Sequence, residues 1–227
     1  MTNLLLACIA FVGTHFLLSH PLRAGLVARI GAGPFLGVYS LVAFVTLGWM
    51  IFAYRALPPQ MPAWTAPDAA WIAAAAVLLL ASVLLVGSLI ANPAVPDPTG
   101  RVRPPTEARG VYAITRHPMM WAFAIWAVVH ILIWPTAGNI AICAAILVLA
   151  IFGSLAQDRK KQALMGDAWV DWERRTSWLP FLALVSGRAR WAAAIPRIGI
   201  VAVGVALWLA ASWAHLPLAG IAVGVWR

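Results

Sequence analysis

Five histidines carry most of the chemistry available to this 227-residue chain: His15, His20, His117, His130 and His215. His117 belongs to an Arg-His-Pro triplet at the lip of the run "ITRHPMMWAFAIWAVVH" (114–130), and His130 lies inside that run. A neutral imidazole can ligate a metal, and two of them from facing helices in a dry pocket are a recurrent way to hold b-type haem in a helical bundle. Haem also brings two propionates, which seek cations, and Arg23, Arg109 and Arg116 stand near these histidines. The plainer alternative is that each imidazole hydrogen-bonds between helices. Which applies depends on the elements that carry the residues.

The chain is 63% hydrophobic and 10% charged, with mean hydropathy +0.88. A soluble domain has roughly 25% charged residues, so the composition fits an all-α, polytopic membrane bundle instead. A span needs about 20 apolar residues. Segments 3–21, 35–54, 69–91, 118–135, 138–156 and 197–214 meet or approach that length, giving about six spans in a single domain over 1–227. Proline and polar clusters punctuate them at 57–68, 92–110 and 134–139. The N-terminus lacks the basic region of a secretory signal, so the first apolar stretch reads as a retained span. Cys8 and Cys143 fall inside apolar runs and suggest neither a disulfide nor a metal site.

Of the 16 basic residues, all but Arg55 and Arg227 fall in the loops after spans one, three and five. Six spans with both termini outside then put almost all positive charge in the cytoplasm. The net charge of +9 is explained by this asymmetry rather than by nucleic acid. The expected location is a membrane bordering the cytoplasm, crossed several times. Thirteen tryptophans suit a chain with many membrane boundaries, and Trp169, Trp172 and Trp178 read as interfacial anchors. Within the soluble-looking stretch 157–195, Leu164, Ala168, Trp169 and Trp172 share a helical face opposite Asp158, Lys161 and Asp167. That is the pattern of an amphipathic helix on the inner membrane surface. The tail 216–227 is too short to cross, and its Gly220 and Gly224 form a weak GxxxG packing signal. The Pro-rich loop 92–106 reads as an ordered connector.

With this topology His15 lies in the cytoplasmic half of span one, and His117 opens span four from the same side. Pro118 suits a first helical position, where its missing N–H costs nothing. His130 sits about 20 Å further along span four and about 140° around it, too far to share a ligand with His117. His20 is likewise about 140° around the helix from His15, so the two do not pair on one face. His215 follows the sixth span at the outer boundary. His15 and His117 are therefore the pair that could share a haem, with His20 and His130 as alternates, while hydrogen bonding between helices stays open as the plainer reading.

Three stretches resemble the NnrU family of bacterial membrane proteins: "HFLLSHPLRAGLVARIGAGPFLGVYSLVA" (15–43), "GVYAITRHPMMWAFAIWAVVHIL" (110–132) and "DRKKQALMGDAWVDWERRTSWLPF" (158–181). That family is associated with denitrification and nitric oxide metabolism, and is similar to the plant zeta-carotene isomerase, which uses histidine-held haem b. The resemblance implies His117 as one axial ligand and His15 as the other. A more distant resemblance is to the isoprenylcysteine and phospholipid methyltransferases, where an RHP segment helps bind S-adenosylmethionine. Here only Asp158 stands where their acidic pair would be, followed by Arg159, Lys160 and Lys161, which disfavours a cationic cofactor.

Three functions follow as expectations. The first is a haem b protein, acting in nitric oxide metabolism or in redox isomerisation of a lipophilic substrate. The second is a methyltransferase that takes S-adenosylmethionine. The third is a non-enzymatic accessory protein, in which Arg116 pairs with an acidic residue of 158–173. All three expect membrane lipids as partners and no nucleic acid.

Overall fold

Helix boundaries follow the breakers in the sequence. In the computed structural model, which describes residues 1–95 and 103–226, α1 spans Thr2–Ser19 and stops where Pro21 denies the next backbone donor. A short α2, Arg23–Ile30, is separated from α3, Ala32–Arg55, by Gly31 at φ +83°. α4 covers Asp68–Ser88, and α5 is a single turn, Val111–Ile114. α6, Pro118–Ile133, has His117 as N-cap and Pro118 at its first position, as the triplet predicts. α7, Ala137–Met165, opens on Thr136, whose hydroxyl accepts from the Asn139 backbone N–H at 3.3 Å. α8 (Asp167–Arg175), α9 (Leu182–Val185) and α10 (Ile198–Ala219) complete the chain, with 3₁₀ turns at Trp191–Ala194 and Gly224–Trp226. No strand occurs among the described residues.

α1, α3, α4, α7 and α10 are long and apolar enough to cross a membrane, and α6 is a shorter apolar helix of 16 residues. The packing pairs give the lateral order α3, α1, α7, α6, α4, α10. The faces turned away from these contacts are apolar: Phe44 and Ile72 are each 72% exposed. In water such faces would aggregate. In hydrocarbon they are at home, so the protein is an all-α integral membrane bundle. The C-terminal ends of α1, α4 and α7 share one end with the N-terminal ends of α3, α6 and α10. The interhelical arginines cluster there, and this is called the basic end below. Arg101 and Arg227, counted in the charge argument, lie outside the described residues, as does the middle of the 92–106 loop.

Three expectations change. The surface helix within 157–195 is not one element. α7 continues through Asp158 and Lys161 to Met165, because DRKKQALM consists largely of good helix formers. Gly166 then takes φ +56° and turns the chain into α8. Trp169 and Trp172 are not interfacial anchors either: both are fully buried, packed with Leu84, Val111, Tyr112 and Ile114. Leu164, assigned to the same face, is 56% exposed. Finally, Gly220 and Gly224 do not form a helix-packing stripe. Gly220 ends α10 in the left-handed region at φ +69°, and Gly224 (φ +61°) returns against Ser212 and Trp208.

Candidate functional site

His117 is held from three directions. Thr115 precedes it in extended conformation and donates through Oγ1 to the Trp178 carbonyl at 2.8 Å. The Arg116 N–H donates to the Ser177 carbonyl (2.9 Å), the Phe181 N–H to that of Ile114 (2.8 Å), and Trp121 Nε1 to that of Trp178 (2.7 Å). The RHP segment and the TSWLPF segment therefore form a single backbone-paired unit. This gives a physical reason for the two motifs to occur together in one chain.

The charged groups close around the same point. Arg116 donates to Asp158 through Nε, at 3.0 Å to Oδ1 and 2.9 Å to Oδ2, and through Nη2, at 2.5 Å to Oδ2. Its Nη2 also lies 3.6 Å from Glu173 Oε1. His117 Nε2 meets Asp158 Oδ1 at 2.7 Å. A carboxylate can only accept, so Nε2 carries the proton and the lone pair of the neutral ring lies on Nδ1. Nδ1 is buried and has no hydrogen-bond partner among the described residues. The ring itself is fully covered.

His15 is prepared in the complementary way. Its Nδ1–H donates to the Phe11 carbonyl one turn back, at 2.6 Å, which leaves Nε2 as a bare lone pair without a partner among the described residues. Tyr39 meets the imidazole edge-on, ring centroids 5.5 Å apart. This is the tautomer and second-nitrogen bond that a metal-ligating histidine normally shows.

His15 and His117 line one cavity of about 460 Å³, together with His20, Arg23 and Lys160. That volume is within the usual range of small-molecule pockets. The cavity runs from the basic end toward the middle of the bundle. His20 shares it with His15 despite the helical-wheel argument, because α1 ends at Ser19 and His20 sits in a non-helical cap at φ −124°, ψ −88°. Burial, and secondarily the charge of Lys160, hold the His20 imidazole below the ordinary histidine range. Its neutral form is thereby favoured.

The predicted cations divide. Arg23 lines the cavity and also stands 6.0 Å over the Phe35 ring. Arg116 is committed to Asp158 and Glu173 and does not line it. Arg109 is 76% exposed and paired with Glu107, whose carboxyl it holds below the usual range, chiefly by the hydrogen bond. It does not line the cavity. His130 faces a different cavity at the opposite end of the bundle, where it meets His215. His215 is not beyond the last span, since α10 continues past it to Ala219. Reasoning from the chain also missed Lys160 and Gln157 as lining residues, because it ended the helix of α7 before them.

Comparison with known proteins adds identity to this geometry. The family model described as "NnrU protein" matches residues 3–223. The chloroplastic 15-cis-zeta-carotene isomerase of Zea mays is 34% identical over 83 residues, 36% of this chain and 22% of the isomerase. Its Arabidopsis thaliana counterpart is 33% identical over 81 residues, 35% of this chain and 22% of that protein. The aligned part is thus about a fifth of the length of these curated relatives. No solved structure matches the chain. With a match running through nearly all of its length, the chain belongs to the NnrU family.

Proposed function

We propose that this protein binds haem b in the basic-end cavity, on the cytoplasmic side of the bacterial inner membrane, and isomerises a cis double bond of a lipophilic polyene. The observation that carries the reading is that His15 and His117, from different spans, border the same void, each with one ring nitrogen bonded and the other unpartnered. Bound haem supplies an iron centre that can exchange electrons with, or polarise, an unsaturated ligand. The chain's own groups do the rest. His15 offers Nε2 directly. His117 offers Nδ1, and Asp158 fixes the ring and raises its basicity as a carboxylate partner does in metal sites. Because that ring is covered, neighbouring side chains must shift slightly to admit it. Arg23 and Lys160 supply positive charge for the propionates in place of Arg109 and Arg116. The substrate class rests on the named activity of the plant relatives.

The test is optical. Protein purified in detergent from haem-replete cells carries a Soret band, which both His15→Ala and His117→Ala lose and His215→Ala keeps. Colourless wild-type protein from such cells overturns the reading. If that protein binds S-adenosylmethionine, methyl transfer takes its place, although Asp158 is already engaged by Arg116 and His117. If it binds neither, the accessory role remains, and the Arg116 ion pairs support it equally well.

A further inference from the structure

The cavity at the end opposite the basic one has a separate chemistry. It measures about 500 Å³ and lies among α4, α6, α7, α10 and the returning tail. Trp71, Trp126, Trp134 and Trp208 are among its walls, and no lysine or arginine among the described residues lines it. Two imidazoles lie side by side in its wall, His130 of α6 and His215 of α10, stacked with ring centroids 6.1 Å apart and planes 24° apart. Each donates its Nδ1–H to the carbonyl one turn back: His130 to Trp126 at 2.8 Å, His215 to Ala211 at 2.7 Å. Each Nε2 is therefore an acceptor with no partner among the described residues. Two such acceptors, carried by different helices, border one void and can serve a single ligand.

The ligand that satisfies them must bring hydrogen-bond donors. An anionic headgroup is disfavoured, since two lone pairs repel it and no cation among the described residues lines the cavity. A metal ion finds only two protein ligands, for no group of three or more His, Cys, Asp or Glu converges among the described residues. What fits is a planar, lipophilic ring that carries hydroxyls, with the indoles against its faces. We propose that this cavity is a binding site for a membrane quinol, with His130 and His215 accepting from the ring hydroxyls. The oxidised quinone offers only carbonyl acceptors. To bond them, a neutral imidazole would have to give up its Nδ1–H bond to its own helix, or else take up a proton. The site is thus selective for the reduced form, as sites built to bond a hydroxyl generally are. The proposal is independent of what occupies the basic-end cavity.

The full chain in nanodiscs, titrated anaerobically with decylubiquinol and separately with decylubiquinone by calorimetry, tests it. Quinol is expected to bind at least tenfold more tightly than quinone. His130→Phe and His215→Phe should each bring that ratio below threefold, whereas Val185→Ala, on the exposed face of α9 and in the wall of neither cavity, leaves it unchanged. Equal affinities, no binding of either form, or a preference that survives both outer variants would overturn the proposal. So would a metal or porphyrin absorbance that disappears with His130→Phe. If a variant does not fold, the wild-type ratio alone still decides.

Discussion

Asp158 holds two groups at once, the Arg116 guanidinium and the His117 imidazole, with only 10% of its side chain exposed. Removing one member of such a cluster strands the others as buried, uncompensated groups, at a cost of about 3–5 kcal/mol. Asp158→Asn is therefore expected to lower the melting temperature in detergent by about 9–15 °C, taking about 3 °C per kcal/mol for a chain of this size. Arg116→Lys should fall short of wild type by a smaller margin, because an ammonium cannot reproduce the fork of Nε and Nη2. If the haem reading holds, Asp158→Asn also weakens or shifts the Soret band, since His117 loses the partner that orients it. A melting temperature within about 2 °C of wild type would show that the cluster contributes little. At this scale the sequence was partly legible. The RHP triplet announced His117, and an acidic partner for Arg116 was expected within 158–173. That one carboxylate would serve both residues was not readable, because no local periodicity links positions 116 and 158.

Between helices, close approach depends on missing side-chain atoms. A Cβ placed on Gly87 of α4 would come within 2.5 Å of Val111 Cγ1, and one on Gly204 of α10 within 3.0 Å of the Val83 backbone. Both substitutions to alanine overpack, typically at about 1–3 kcal/mol. They differ in their remedy. Gly87→Ala meets a side chain, so adding Val111→Ala should recover at least half of the lost stability in a thermal melt. Gly204→Ala meets the Val83 side chain (Cγ2 at 2.8 Å) and also its backbone (3.0 Å), so Val83→Ala should recover a smaller share. Equal rescue of both would contradict the packing described. Helix existence was plain in the apolar runs, and caps at Pro118 and Thr136 follow from local chemistry. The division of 157–195 was harder to read. Trp169 and Trp172 have the spacing of a surface helix, and only tertiary packing decides that the face they share is covered by α4 and α5 rather than by lipid.

For the molecule as a whole, charge asymmetry predicts its orientation. A reporter fused after position 62, in the α3–α4 connection, should be active as alkaline phosphatase and dark as a fluorescent protein. Fusions after 110 and after 190 should show the opposite. Active phosphatase at 190 would refute the assignment of the basic end to the cytoplasm. Membrane character and helical class were evident from composition alone, whereas the two cavities were not, because a void is a property of packing that no single segment encodes. Phe123 and Ile146 border both cavities. A guest pressing on that partition from one side alters the room left on the other. Thermodynamic reciprocity then requires the two occupants to strengthen or weaken each other by the same factor. With both compartments filled, one benzyl group and one branched alkyl chain would be the partition through which any such effect passes.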